Sequence, residues 1–196
     1  MPQKILNWVW GAWFVSWWVV AFWSDRVARR LNASTELLYR LPTLVAVVLL
    51  FGGVKWSGDL VWLRTPRHPG IAWTLVGLTI AGLAFTWWAR IHLGRLWSAT
   101  VTRKEDHRVV DTGPYRLVRH PIYTGILFAA VASACMRGTL LPAIGFVVLA
   151  ISFYIKARLE ERFLRAELGH DAYDGYARRT PMLVPFLGVR ETSARV

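Results

Sequence analysis

Two short groups in the second half of this 196-residue chain have the residue types and spacing that chemistry needs. The first is Arg119-His120-Pro121-Ile122-Tyr123-Thr124-Gly125, which leads directly into an apolar run. Pro121 suits the first turn of a helix, where no backbone donor is required. His120 then falls at about the N-cap and Arg119 just outside it. A helix N-terminus offers free N–H groups and a partial positive charge, so together with Arg119 it can hold an anionic group such as a carboxylate. Tyr123 follows His120 by three residues, so both face one side of the first turn. An ordinary basic helix flank with an interfacial tyrosine is the plainer reading of the same residues. The second group is Glu160-Glu161, within about two turns of the last apolar run. A carboxylate pair there can orient a cationic or hydroxyl-bearing ligand; a solvated amphipathic helix is the alternative.

Other features surround these groups. The stretch from Arg90 to His120 contains Gly94-Arg95-Leu96-Trp97-Ser98, a charged run from Arg103 to Arg108, and a turn signal at Gly113-Pro114. Beyond the glutamates, Gly169 reads as a helix stop, followed by Tyr173 and Tyr176. Residues 180–186, Thr-Pro-Met-Leu-Val-Pro-Phe, form an extended, proline-punctuated strip suited to covering a pocket. The five histidines show no metal-ligand spacing, so no metal is expected. No Gly-x-Gly-x-x-Gly, Walker or Gly-x-Ser-x-Gly motif occurs, which argues against a Rossmann domain. The single cysteine, Cys135, lies in an apolar run and reads as a packing residue; it excludes an intramolecular disulfide framework.

The elements that must position these residues are membrane helices. The chain is 55% hydrophobic, carries 12 tryptophans and has a mean hydropathy of +0.34. Apolar runs predict an all-α bundle of about five transmembrane helices, at about 5–23, 39–56, 71–89, 121–136 and 139–157, in one domain spanning 1–196. The last two runs flank Arg137-Gly138 and read as a tight helical hairpin. The first run lacks a cleavage signature and reads as a retained helix rather than a signal peptide. Of the 24 lysines and arginines, four (Arg26, Arg29, Arg30 and Arg40) lie between the first apolar run and the second, uncharged run at 41–54, seven lie between the third and fourth, and eight follow the last uncharged run at 140–155, from Lys156 onward. The positive-inside rule therefore predicts the N-terminus outside and the C-terminus in the cytosol. It also accounts for the net charge of +12 without nucleic acid, for which no binding motif is present.

The ordered set Gly113-Pro114-Tyr115, Arg119-His120-Pro121-x-Tyr123-x-Gly125, a helical hairpin, Glu160-Glu161, and Gly169-x-x-x-Tyr173-x-x-Tyr176 resembles the isoprenylcysteine carboxyl methyltransferase family, which is grouped with membrane phospholipid methyltransferases. The resemblance covers about 94–185, the expected cofactor-binding part. It implies an S-adenosylmethionine-dependent methyltransferase whose cofactor is enclosed by the loop before the fourth span, the start of that span and the segment after the fifth. It further implies His107, Val110, Gly113, Tyr115, His120, Tyr123, Glu160 and Glu161 as cofactor contacts. The acceptor, a lipophilic or lipid-modified molecule, would enter from the bilayer. Arg119 and Arg158 are then candidates for orienting an acceptor carboxylate or phosphate.

Methyl transfer from a sulfonium is an in-line displacement, so the protein mainly supplies positioning and exclusion of water. A carboxylate acceptor needs no base; an amine acceptor must lose a proton, a task for Glu160 or Glu161. The aromatic rings of Trp97, Tyr115, Tyr123 and Tyr173 can stack on adenine or lie near the sulfonium. Two rivals remain. An NADPH-dependent membrane sterol-type reductase has a similar Arg-His-Pro element. A non-enzymatic transporter or scaffold predicts charges inside the spans, and these runs contain essentially none.

Overall fold

A computed structural model describes residues 1–21, 27–30, 33–52, 68–94, 102–104, 110–168 and 170–187. Seven helices and one two-stranded ribbon occupy them: α1 (Pro2–Ala21), β1 (Val27–Arg30), α2 (Ala33–Phe51), α3 (Pro69–Leu93), β2 (Thr102–Lys104), α4 (Pro114–Leu117), α5 (Pro121–Arg137), α6 (Leu140–Leu168) and α7 (His170–Arg179). The expected all-helical membrane architecture is present. The ribbon, β1 antiparallel to β2 with Arg29 opposite Arg103, is a small addition that periodicity did not signal.

Helix bounds follow local chemistry. Pro69 opens α3 beneath His68, whose Nδ1 accepts the Gly70 amide at 3.2 Å. Gly138 closes α5 in the left-handed conformation and Leu140 restarts the chain as α6, so the hairpin turns where Arg137-Gly138 predicts. Three helices run longer than the apolar pattern suggests. Helix α2 begins at Ala33, before the expected 39, and its polar first turns are held by an Arg40–Glu36 ion pair at 2.6 Å. Helix α3 continues past 89 to include Arg90 and His92. Helix α6 continues past 157 to Leu168 and carries both glutamates on one continuous rod.

This is an integral membrane protein. Helices α2, α3 and α6 are long and apolar enough to cross a bilayer, and α5 is a shorter apolar helix. Large apolar side chains face outward along the bundle, among them Trp8, Trp18, Leu44, Val48, Trp88 and Ile151, as a lipid-facing surface requires. Small residues make the closest helix contacts. Helix α3 packs along α5, and α2 along α6. At the first crossing, a Cβ added to Gly82 would lie 2.7 Å from the Gly125 carbonyl oxygen, and one added to Gly125 would lie 2.6 Å from that of Gly82. Tryptophans of α1 tie the bundle with polar tips: Trp10 donates to Ser133 and Trp13 to Thr86. The core beneath the hairpin is Ala46, Leu50, Ala130, Ala134, Leu149 and Phe153.

Candidate active site where α5 begins

His120 is the N-cap of α5, with Pro121 at the first helical position. Its ring is buried and stacks on Tyr123 at 5.4 Å, nearly parallel. It faces both glutamates of α6: Nδ1 lies 3.4 Å from Glu160 Oε2, and Nε2 lies 3.4 Å from Glu161 Oε1. Burial pulls the imidazole pKa down, but the carboxylates of Glu160 and Glu161 more than offset this and hold it above its ordinary value. When protonated, His120 bridges two carboxylates adjacent in sequence. Tyr123 completes the arrangement by donating its hydroxyl to Glu160 Oε1 at 2.6 Å.

Arg119 fixes the other side. Its Nε donates to Glu161 Oε1 at 2.7 Å, and Nη1 donates to the carbonyls of Ala177 and Thr180. These carbonyls lie at the end of α7, where free acceptors and a partial negative charge suit a cation. Glu161 is fully buried. Among the described residues its Oε2 accepts no hydrogen bond, although the Arg165 guanidinium stands 3.7 Å away. The structure thus differs from an open anion site at the start of α5. The strip at 180–183 occupies it: the Arg119 and His120 amides donate to the carbonyls of Pro181 and Met182, and the Thr124 hydroxyl donates to Leu183. The strip covers the site by filling the helix end with its own backbone acceptors.

The sequence candidates fall into three groups. Arg119, His120, Tyr123, Glu160 and Glu161 meet directly. Arg158 is exposed on a neighbouring cleft of about 310 Å³, which Arg119, Glu161, Arg165, Asp174 and Arg178 also line. Tyr115 is buried and connects through its carbonyl, which accepts the Tyr176 hydroxyl at 2.6 Å. Burial pushes the hydroxyls of Tyr115, Tyr173 and Tyr176 up in pKa, so all three remain protonated donors. Gly113 adopts φ +57°, and a Cβ there would lie 2.7 Å from the His92 ring. Val110 is half-buried, with no contact to the cluster shown. His107, Trp97 and Gly169 lie outside the described residues.

Further side chains join the site from elements that the motif pattern did not mark. Lys156 sits one turn before Glu160, 3.9 Å from its Oε1, with its ammonium over the rings of Tyr39 and Tyr123. Its i,i+4 spacing to Glu160 was a readable signal. Tyr39 comes from α2, outside the motif-bearing half of the chain. His92, in the last turn of α3, bonds Thr112 at 2.8 Å and lies beside Tyr115. Arg165 pairs with Asp174 at 2.6 Å, joining α6 to α7.

Bundle and site together define a helical membrane protein with a carboxylate- and aromatic-lined centre at one membrane face. The chain belongs to the isoprenylcysteine carboxyl methyltransferase family: residues 75–166 match that family's model. It is 35% identical over 146 residues to protein-S-isoprenylcysteine O-methyltransferase B of Arabidopsis thaliana, covering 72% of this chain and 74% of that one. It is 30% identical over 149 residues to a cobalt-zinc-cadmium resistance protein of Cupriavidus metallidurans, covering 75% of this chain and 61% of the relative. Methanethiol S-methyltransferase 1 of Bradyrhizobium diazoefficiens is 29% identical over 175 residues, covering 84% of this chain and 58% of the relative. The chain thus spans less than two thirds of the length of the last two.

Proposed function

We propose that the chain transfers a methyl group from S-adenosylmethionine to a lipophilic acceptor that reaches the site from the bilayer. The observation that carries this reading is the cluster of buried His120 and Glu161 with half-buried Tyr123 and Glu160 at the start of α5, in a chain of this family. Two relatives are named for O-methylation of isoprenylcysteine and S-methylation of methanethiol, so the family context supports methyl transfer to oxygen or sulfur.

The residues present fit this cofactor. Glu161 Oε2 is a buried acceptor without a hydrogen bond, suited to an amino group. The carboxylates of Glu160 and Glu161 supply the negative charge that suits a sulfonium cation. When bound, S-adenosylmethionine supplies an electrophilic methyl group. His107, Val110, Gly113, Tyr115, His120, Tyr123, Glu160 and Glu161 are the proposed contacts. His120 and Tyr123 orient Glu160, the strip at 180–183 excludes water, and Glu160 or Glu161 takes a proton if the acceptor carries one. Arg158 is the candidate for orienting an anionic acceptor group. Arg119, committed to Glu161 and the end of α7, is assigned as a positioning residue for Glu161.

The substitutions His120→Ala, Tyr123→Phe and Glu160→Ala each weaken S-adenosylmethionine binding in detergent-purified protein that still inserts. For Tyr123→Phe the loss is about tenfold, the worth of a hydrogen bond to a charged acceptor. Unchanged affinity in all three overturns the site assignment. Incubating the protein with labelled cofactor and total membrane extract, then identifying the labelled product, reveals the acceptor. Saturable NADPH binding without S-adenosylmethionine binding points instead to a reductase. The proposed topology places the N-terminus outside and the site in the cytosol, in accord with the charge distribution.

A further inference from the structure

The polypeptide does not end its work at the strip that fills the start of α5. After Leu183 it makes a tight turn, closed by the Leu187 amide donating to the Val184 carbonyl at 3.2 Å. This turn displays apolar side chains: Val184 is 52%, Phe186 93% and Leu187 66% exposed. Phe186 also holds φ at +67°, a backbone conformation that side-chain-bearing residues rarely adopt. Leu117, at the end of α4, is 46% exposed. Three exposed arginines, Arg116, Arg178 and Arg179, belong to the segments that flank these residues.

The height of the turn is set by α5. That helix has 17 residues, so it is about 26 Å long at ~1.5 Å per residue. The hydrocarbon core is about 30 Å thick. A helix this short has no length to spare, and its first turn must lie at the boundary between hydrocarbon and headgroups. Met182 and Leu183 are bonded to that first turn, through His120 and Thr124. Val184 to Leu187 follow directly and therefore sit at the same level. Apolar side chains at the interface beside arginines match the amphipathic pattern of a surface that rests in an anionic leaflet.

We propose that the 184–187 turn, with Leu117, is an interfacial anchor that inserts into the anionic lipid leaflet and so holds the 180–183 cover against the start of α5. The partner is the bilayer surface: apolar side chains enter the headgroup boundary, and Arg116, Arg178 and Arg179 meet lipid phosphates. This assignment needs only the membrane placement of α5 and stands apart from the methyl-transfer reading.

The test uses the full chain in lipid nanodiscs. In a Cys135→Ser background, Phe186→Cys is labelled with an environment-sensitive fluorophore, and the same fluorophore on free N-acetylcysteine in the disc suspension serves as the water-exposed reference. Nanodiscs contain phosphatidylcholine with or without phosphatidylglycerol. Lipids carrying a shallow doxyl quencher should quench the label at 186 several-fold more than the free conjugate, and iodide should quench it several-fold less. The Arg178→Glu, Arg179→Glu pair should reduce the extra doxyl quenching that phosphatidylglycerol brings. Labels at Val184→Cys and Leu187→Cys give a second reading where the 186 variant folds poorly. Iodide quenching at all three positions equal to that of the free conjugate, with no doxyl quenching, overturns the proposal. Doxyl quenching that is the same in neutral and anionic discs overturns its electrostatic half.

Discussion

At the residue scale the centre is a charge arrangement held by one imidazole. His120 contacts Glu160 and Glu161 through opposite nitrogens, while Arg119 approaches Glu161 from the far side. The folded-state pKa of His120 lies above the ordinary value of about 6.5. The stabilisation from its positive charge is therefore fully present below that pH and is lost as pH rises through the raised value. Thermal unfolding of the purified protein, followed by exposure of Cys135 to a thiol probe, should show stability falling as pH rises above about 6.5. His120→Gln should flatten that slope, and an equal slope in the variant would remove His120 as its cause. Arg119→Lys should also destabilise, by about 1–3 kcal/mol, because a lysine cannot reach Glu161 and two carbonyls with a planar fork. A chemical-denaturation midpoint equal to that of the parent would count against this.

At the scale of elements, two close approaches decide whether the site assembles. Gly125 lies on α5 one turn from His120 and touches the backbone of α3. Gly125→Val should therefore push α3 and α5 apart at the level of the site, lowering stability by about 1–3 kcal/mol and weakening cofactor binding together. Gly113→Ala is the finer test. The positive φ and the His92 ring both oppose a Cβ there, so the turn into α4 must shift. The expected outcome is weaker cofactor binding with normal membrane insertion; unchanged affinity would show that Gly113 does not shape the pocket. Much of this was legible beforehand. Pro121 after His120, Gly113-Pro114 and Arg137-Gly138 are local signals, and each falls where the structure begins or ends an element. The contributions of His92 and Tyr39 were not legible. Arg90 and His92 extend an apolar helix with polar residues, and Tyr39 reaches the site only through the packing of α2 on α6. Arg119 was readable as a cation near a helix start, but its partners Ala177 and Thr180 lie far along the chain and could not be seen from spacing.

For the whole molecule, contacts between the connections bring polar segments together. The β1–β2 ribbon joins the connection after α1 to the connection after α3, and the Tyr176–Tyr115 bond adds the segment after α6. All three carry most of the basic residues, so charge and geometry agree on their common side. Cysteines placed singly at 29, 103 and 178 in a Cys135→Ser background should react together with a membrane-impermeant maleimide on one face of sealed vesicles. Protection of one while the other two react would break that common placement. The capping of α5 by the tail has a consequence for biosynthesis. Arg119 and His120 enter the membrane region well before Ala177, Thr180, Pro181 and Met182 are made, yet their backbone and guanidinium donors depend on those carbonyls. The hairpin is therefore made with its entrance unfinished, and the centre is completed only after the downstream segment has been synthesised and folded back.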